Sequence, residues 1–337
     1  MTTLPHRSIG PFSVSAVGLG CMNLNHAYGH PPSEADGAAL LNRALDLGVT
    51  FLDTAAIYGL GANERLLGKA VMHRRSEFTL ASKCVLDVVD AKRVLDGRPE
   101  AVTRTLDGAL QRLGTDHIDL YYCHRLDRRV PIEETVGALA RAVEAGKIGG
   151  IGLSEMSAAT IRRAHAVHPI AAIQSEYSPM VRNPEIAVLN TCRELGIGFV
   201  AFSPVARGLL AGGVHGDDYA EGDIRQGMPR FTGDNLRHNL TLADRFAAVA
   251  REMGCTPAQL ALGWVLAQAP FIVAIPGTAN LAHLEDDVGG ATVQLTPETV
   301  ARIDAIFDGT IRGARYSAPM QASIDTETFA DEELAAA

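Results

Sequence analysis

The sequence predicts an α/β chain folded as a (β/α)8 TIM barrel with an N-terminal β-hairpin and extra helices, and three observations carry that prediction. Eight short apolar segments, each ending in Gly or a polar residue, recur along the 337 residues. Helix-opening chemistry lies between them. The connections are short, so consecutive strands must run parallel, and eight βα repeats is the number that closes on itself.

Taken in order, residues 6–15 read as the hairpin, with Gly10-Pro11 at its turn. The barrel strands are expected at residues 14–20, 50–53, 78–83, 118–124, 148–154, 171–174, 198–203 and 271–277. Helix starts are written in Ser33-Glu-Ala-Asp, Pro99-Glu-Ala-Val, Pro131-Ile-Glu-Glu, Ser157-Ala-Ala-Thr, Asn183-Pro-Glu, Thr256-Pro-Ala-Gln and Thr296-Pro-Glu. In these a side-chain oxygen accepts a first-turn N–H, or Pro occupies a position that lacks a partner anyway. Gly48, Gly114, Gly146 and Gly196 mark helix ends. Residues 210–235, rich in Gly and charge, form the one long loop, expected to cover a cofactor or substrate after the seventh strand. A helix over 240–253 follows it, and the acidic, Ala-rich residues 326–337 are expected as a flexible tail. The whole of 1–337 is expected to be a single domain.

Composition excludes several classes of function. Thirty basic against 39 acidic side chains give a net charge of −9, with no Lys/Arg run to track a phosphate backbone, so no nucleic-acid partner is expected. No apolar stretch is long enough for a bilayer, and residues 1–10 lack the features of a signal peptide, so a cytoplasmic protein is expected. Five cysteines without Cys-x-x-Cys spacing fit a reducing compartment. Cys84 and Cys123 adjoin candidate catalytic positions but read as small packing residues rather than nucleophiles. His165 and His168 lack a third ligand, and no metal site is expected.

What remains is an acid/base set. Asp53 and Tyr58 lie in Leu52-Asp-Thr-Ala-Ala-Ile-Tyr-Gly59, Lys83 in Ala81-Ser-Lys-Cys84, and His124 in Tyr121-Tyr-Cys-His-Arg125, each following an apolar segment. Barrel chemistry sits at the C-terminal strand ends, so strands two, three and four bring all four to one face. A free tyrosine titrates near 10 and donates a proton poorly near neutrality unless a cation stabilises its phenolate. Lys83 is the expected cation, bringing Tyr58 below a free tyrosine, with Asp53 keeping the lysine charged and His124 orienting a carbonyl oxygen. His26 and His30, after strand one, either reach a substrate at the mouth or are solvated. No Gly-x-Gly-x-x-Gly fingerprint is present, since Gly59-Leu-Gly61 and Gly150-Ile-Gly152 lack the third glycine. Barrels instead hold phosphate on the loops after strands seven and eight, where Ser203-Pro-Val-Ala-Arg-Gly-Leu209 and Ile275-Pro-Gly-Thr-Ala-Asn280 fall. The same residues also suit ordinary turns and caps.

The chain resembles the aldo-keto reductases over nearly its whole length, from Val17-Gly-Leu-Gly20 to Gly313-Ala-Arg-Tyr316. The motifs that carry the resemblance include the Asp53 to Tyr58 run, Asn63-Glu-Arg-Leu-Leu-Gly68, Leu113-Gly-Thr-Asp116, Gln174-Ser-Glu-Tyr-Ser178 and Phe202-Ser-Pro204. Ile151-Gly-Leu-Ser-Glu155 and Ala164-His-Ala-Val-His-Pro-Ile170 are similar to the branch of pyridoxal reductases and perakine reductase-like enzymes. The resemblance implies NADPH, with NADH possible, and reduction of a small carbonyl substrate with Tyr58 as proton donor, tuned by Lys83 and Asp53, and His124 as orienter. It implies cofactor contacts from Gly20, Met22 and Asp53, and from Ser154 and Gln174 at the carboxamide, with Phe202 against the nicotinamide ring. Ser203, Val205, Arg207 and Gly208 would line the pyrophosphate, and Gly277, Thr278, His283 and Asp287 the adenosine end. Glu155 departs from the family, standing where Asn is often seen, and no Lys or Arg follows Gly277-Thr278 to meet a 2′-phosphate. Three acids stand there instead, leaving Thr278, the helix N-terminus and His283 as the expected donors. Two alternatives stand beside this reading: a nicotinamide-binding interaction module of the channel β-subunit type, and a sugar-phosphate isomerase or lyase with a carboxylate base. Substrate choice resides in loops 23–32, 86–98 and 210–235, which carry no portable code, and monomer and homo-oligomer are equally compatible with the sequence.

Overall fold

In the computed structural model, which describes residues 4–25, 27–90 and 92–335, β1 (His6–Ile9) and β2 (Phe12–Ser15) pair antiparallel as the expected hairpin. Gly10 takes φ +56°, and a Cβ there would stand 2.6 Å from that of Ala171, so glycine alone satisfies both the turn and the contact. Ile9 lies against Gly198, and Phe12 against Gly149 and Gly150, so the hairpin plugs the N-terminal end of the barrel.

The remaining strands are β3 (Leu19–Gly20), β4 (Phe51–Asp53), β5 (Thr79–Cys84), β6 (Leu86–Val89), β7 (Lys92–Leu95), β8 (Ile118–Cys123), β9 (Ile148–Ser154), β10 (Ile170–Glu176), β11 (Gly198–Phe202) and β12 (Ile272–Ile275). All except β6 and β7 join one parallel sheet in the order β3-β4-β5-β8-β9-β10-β11-β12. Its ends meet: Gly18 N donates to Ala274 O at 2.8 Å, Ala274 N to Ala16 O at 3.0 Å, and Gly20 N to Pro276 O at 2.9 Å. Closure leaves no barrel edge unpaired. The interior is filled by Phe51, Ala81, Leu120, Tyr122, Ala172, Val200 and Val273, capped from below by Ile9 and Val14. Gly152 makes room for Tyr122, whose ring would meet a Cβ at 2.2 Å.

The helices are α1 (Glu34–Asp46), α2 (Ala62–Ala70), α3 (Pro99–Leu113), α4 (Ile132–Glu144), α5 (Ala158–Val167), α6 (Val188–Leu195), α7 (Gly233–Met253), α8 (Pro257–Ala267), α9 (Leu281–Gly289), α10 (Pro297–Phe307) and α11 (Ala318–Gln321). Ser33, Ser157, Thr256 and Thr296 cap their helices as expected, Thr256 with a reciprocal capping box to Gln259. A second apolar core, running from Leu4 to Ile324, fills the space between sheet and helices. Arg7 ties the hairpin to the end of α8, donating to the carbonyls of Leu266, Ala269 and Ile272 at 2.7–2.8 Å.

Four expectations are corrected. Residues 86–98 are not an open loop, because β6 and β7 pair as a second hairpin at the barrel mouth. Asn183-Pro-Glu forms only a short 3-10 turn, and α6 begins at Val188. The long loop is shorter than expected, since α7 starts at Gly233 rather than 240 and three 3-10 turns, at Ala206–Ala211, Ile224–Gly227 and Pro229–Phe231, order what precedes it. The polar Asn239 hides that extension by breaking the apolar period. It faces inward, its amide donating to Arg230 O and Arg312 O. The segment 326–335 is tied down rather than free, with Thr326 buried on Glu155, Glu327 accepting from Ala158 N, and Glu333 from Gly313 N; 336–337 lie outside the described residues. Its acids serve as acceptors for backbone that would otherwise lack partners.

Candidate active site

The four candidate residues meet at the C-terminal end of the barrel. Asp53 closes β4, Tyr58 opens the 3-10 turn that follows, Lys83 sits on β5, and His124 follows β8. All four are buried. Lys83 Nζ donates to Asp53 Oδ1, to Thr54 O at 2.8 Å, and to Tyr58 Oη at 3.3 Å. An ammonium has three donors and no acceptor, so Lys83 is fully engaged and Tyr58 Oη is on the accepting side. The phenol proton is therefore free for a group in the cavity. Gln174 Nε2 holds the other Asp53 oxygen at 2.8 Å.

The titration of this cluster differs from the expectation. Burial pushes the Tyr58 phenol upward, and Lys83 offsets that only in part. Tyr58 thus remains an acid to strongly alkaline pH, not below a free tyrosine. Burial alone would push Lys83 down, but Asp53 and Tyr58 together outweigh it and hold the lysine charged. Burial, reinforced by Arg125, Lys83 and Arg93, drives His124 well below the ordinary histidine value, so its imidazole is neutral. Its Nδ1 is buried without a partner among the described residues, which leaves Nε2 as the ring nitrogen facing the cavity and favours the tautomer with the proton there. The Cys84 and Cys123 thiols are also pushed up by burial and donate to Tyr122 O and Arg125 O. They are not thiolate nucleophiles.

Tyr58 and His124 line one end of a cavity of about 590 Å³ that extends to Asn280, His283 and Asp287. Every residue assigned above to the cofactor borders this cavity, which is what strand ends on one barrel face should achieve. Ser203, Ala206 and Arg207 take φ of +50°, +48° and +56°, joined by Gly208 at +89°. Left-handed backbone is costly for non-glycine residues and concentrates at functional sites. Here it occupies the stretch where an extended dinucleotide would pass its phosphates, so shape and backbone fit such a group.

Several side chains behave differently from expectation. The Arg207 guanidinium does not face a phosphate, because it is bonded to Glu176 at 2.8 Å, Tyr316 Oη at 3.0 Å and Tyr28 Oη at 3.1 Å. Its backbone is the part left to the cavity. Glu155 is buried at φ +53° and holds Arg315 at 2.7 Å, so the acid in place of the family Asn anchors the C-terminal segment. The N-terminus of α9 is not open either, since Asn280 Oδ1 already accepts from Ala282 N and His283 N, and Thr278 Oγ1 accepts from Asn280 N. The three acids are quieter than their sequence suggests. Glu285 pairs with Arg43, Asp286 accepts from Thr256 and Gln259, and burial beside Asp286 raises Asp287 to about 8. His26 lies outside the described residues; His30 is exposed and does not border the cavity. His165 accepts from Ile170 N, and no cluster of three or more His, Cys, Asp or Glu suited to a metal occurs among the described residues.

The geometry also brings in residues that the sequence does not single out. Tyr28, Arg93, Arg125, Arg225, Asn280 and Tyr316 all border the cavity. Their positions depend on tertiary packing, and although Arg125, Asn280 and Tyr316 end motifs quoted above, the sequence attaches no role to any of the six.

A barrel with a lysine-anchored tyrosine beside a neutral histidine defines a reductase-like oxidoreductase site. The chain belongs to the aldo/keto reductase family, whose model matches residues 16–308. Among curated relatives, the aldo-keto reductase yakc [NADP(+)] of Schizosaccharomyces pombe is 44% identical over 323 residues, covering 93% of this chain and 95% of that protein. The glycerol dehydrogenase AKR11B4 from Gluconobacter oxydans superposes with a TM-score of 0.83 at 27% identity, over 92% of this chain and 97% of that structure. The aldo-keto reductase AKR11C1 from Bacillus halodurans, in its holo form, gives 0.75 at 27% identity, over 93% and 98%. The protein is therefore an oxidoreductase of the aldo-keto reductase family with a TIM-barrel fold. No helix among the described residues is long and apolar enough to cross a membrane.

Proposed function

We propose that this enzyme reduces a small aldehyde or ketone to an alcohol with NADPH, Tyr58 donating the proton. The observation that carries the proposal is the engagement of all three Lys83 donors, which leaves the Tyr58 proton directed to the cavity. Nicotinamide, when bound, supplies the hydride. Neutral His124 holds the carbonyl oxygen toward Tyr58, and that oxygen receives the phenol proton as negative charge develops on it. Asp53 is bonded to Lys83 and Gln174 and so is unsuited to serve as the free carboxylate base that an isomerase or lyase needs. Ser154 accepts from Arg125 at 3.0 Å, leaving its own proton for a carboxamide, while Gln174 retains its carbonyl oxygen for the same group. Five free cysteines suit a reducing, cytoplasmic setting. The test is a screen of aldehydes and ketones with both reduced nicotinamides; nicotinamide binding without turnover of any carbonyl would instead support an interaction module.

The pH profile is a second check. Reduction needs Tyr58 protonated, and its titration is raised, so with chemistry rate-limiting the rate should stay level from about pH 6 to 9 and fall only above about 10. His124 is neutral throughout and adds no break. A loss of rate centred below pH 9 would contradict the burial-dominated phenol.

Cofactor choice follows from the capped helix. With no cation in 277–287 and the N-terminal donors engaged by Asn280, NADPH should be used but only weakly preferred over NADH. Ala279 is exposed at the rim, and Ala279→Arg should tighten NADPH alone, by about 10- to 100-fold for one charge-assisted contact. Equal tightening of both cofactors, or a wild-type preference of several thousandfold, would show that the 2′-phosphate is met elsewhere.

Asp287 gives a stability prediction of definite sign. Its folded-state titration is raised to about 8 by burial, whereas the unfolded chain releases this proton near pH 4. Between those values the folded state holds more protons, so this group erodes stability as pH rises from about 4 to 8. Asp287→Asn should therefore raise Tm most at pH 8 and little at pH 4; a pH-independent shift would place the effect in packing.

A further inference from the structure

Two of the four arginines bordering the cavity are neutralised within the protein, and two are not. Arg207 pairs with Glu176, and Arg225 with Asp223, each with a guanidinium N–H donated to a carboxylate oxygen at 2.7–2.8 Å. Arg93, on β7 of the second hairpin, has no side-chain hydrogen bond or ion pair within the described residues. Arg125 follows His124 directly and engages only Nη1, on His124 O at 2.6 Å and Ser154 Oγ at 3.0 Å. That contact fixes the guanidinium at the end of a rigid strand while leaving Nε and Nη2 without a protein acceptor among the described residues. The nearest acids in sequence form no ion pair with either arginine among the described residues: Asp87 accepts from Val88 N, Asp90 is exposed at the hairpin tip, Asp127 is held by Arg129 and Gly97 N, and Asp96 by Arg98. The Lys83 charge is already balanced by Asp53. The Tyr58–His124 end of the cavity thus carries two unbalanced positive charges in a chain of net charge −9. Both cations are close enough to His124 to disfavour its protonation. Ile57, Leu86 and Met320 supply apolar wall beside them.

We propose that Arg93 and Arg125 recognise an oxyanion, carboxylate or phosphate, on the carbonyl substrate, so that the preferred substrates pair a largely apolar body with an anionic group. This rests on carbonyl reduction as the activity of the site. Arg125, preorganised beside the carbonyl orienter, offers a two-donor fork matched to an oxyanion, and Arg93 adds charge from the hairpin that overhangs the mouth.

The experiment compares kcat/KM with NADPH for 4-carboxybenzaldehyde against its methyl ester, and for 4-formylphenyl phosphate against 4-methoxybenzaldehyde, across ionic strength. The charged member of at least one pair should be favoured by about 10- to 100-fold, the scale of one charge-assisted contact, and the advantage should shrink as salt rises. Which pair shows it assigns carboxylate or phosphate. Arg93→Gln and Arg125→Gln should each reduce that ratio by roughly tenfold, and Arg93→Lys should restore part of it. Affinity for NADPH, measured by fluorescence, separates substrate from cofactor recognition. If Arg93→Gln lowers NADPH affinity as much as the ratio, or if both charged probes are reduced no faster than their neutral partners, the anion site is overturned while the reductase reading stands. Failure to reduce any of the four aldehydes would overturn both.

Discussion

Replacing Tyr58 with Phe is expected to lower kcat for carbonyl reduction by about 10²- to 10⁴-fold, the usual contribution of a positioned general acid. NADPH affinity should hardly change, because the hydroxyl bonds to Lys83 and not to the phosphate or adenosine stretch of the cavity. The fold should survive. The ring stays in place, and one Lys83 donor loses a partner at a cost of about 1–3 kcal/mol. The decisive comparison is pre-steady-state reduction against cofactor titration on the same preparation. A mutant within threefold of wild type in the chemical step would remove Tyr58 from the acid role.

Lys83→Met should produce a comparable loss of activity and a larger loss of stability. Lys83 and Asp53 are both buried and directly paired, so removing the cation leaves a carboxylate in low dielectric with only Gln174 to hold it. Breaking such a pair typically costs about 3–5 kcal/mol, whereas replacing both charges is far less damaging. The double variant Asp53→Asn with Lys83→Met should accordingly recover much of the lost Tm. It should not recover activity, because Tyr58 would have no cation to offset the charge its oxygen acquires as the proton leaves. Full activity in the double variant would reduce the pair to a structural element.

The four candidate acid/base residues are legible in the amino-acid pattern because each stands at or after the end of an apolar segment, and a parallel barrel gathers such ends on one face. The N-terminal hairpin, the eight strands and most helix caps are legible for a similar reason, as each follows from local chemistry within about ten residues. What is illegible is decided by contacts between distant segments. Asn280 reads as a loop residue but closes the helix end that a 2′-phosphate was expected to use. Arg207 reads as a phosphate ligand, yet Glu176, 31 positions away, takes its guanidinium. The Tyr58 titration departs from expectation because a sequence shows the neighbouring cation but not the burial that outweighs it. Helix α7 begins earlier than its apolar period because the buried amide of Asn239 is satisfied by carbonyls from two other loops. By itself, the sequence determined the barrel and the presence of Asp53, Tyr58, Lys83 and His124 at its strand ends, since both depend on short-range pattern. Which charges at the cavity are paired and which are left without a partner only the tertiary structure decided, because desolvation and pairing are properties of residues brought together from afar.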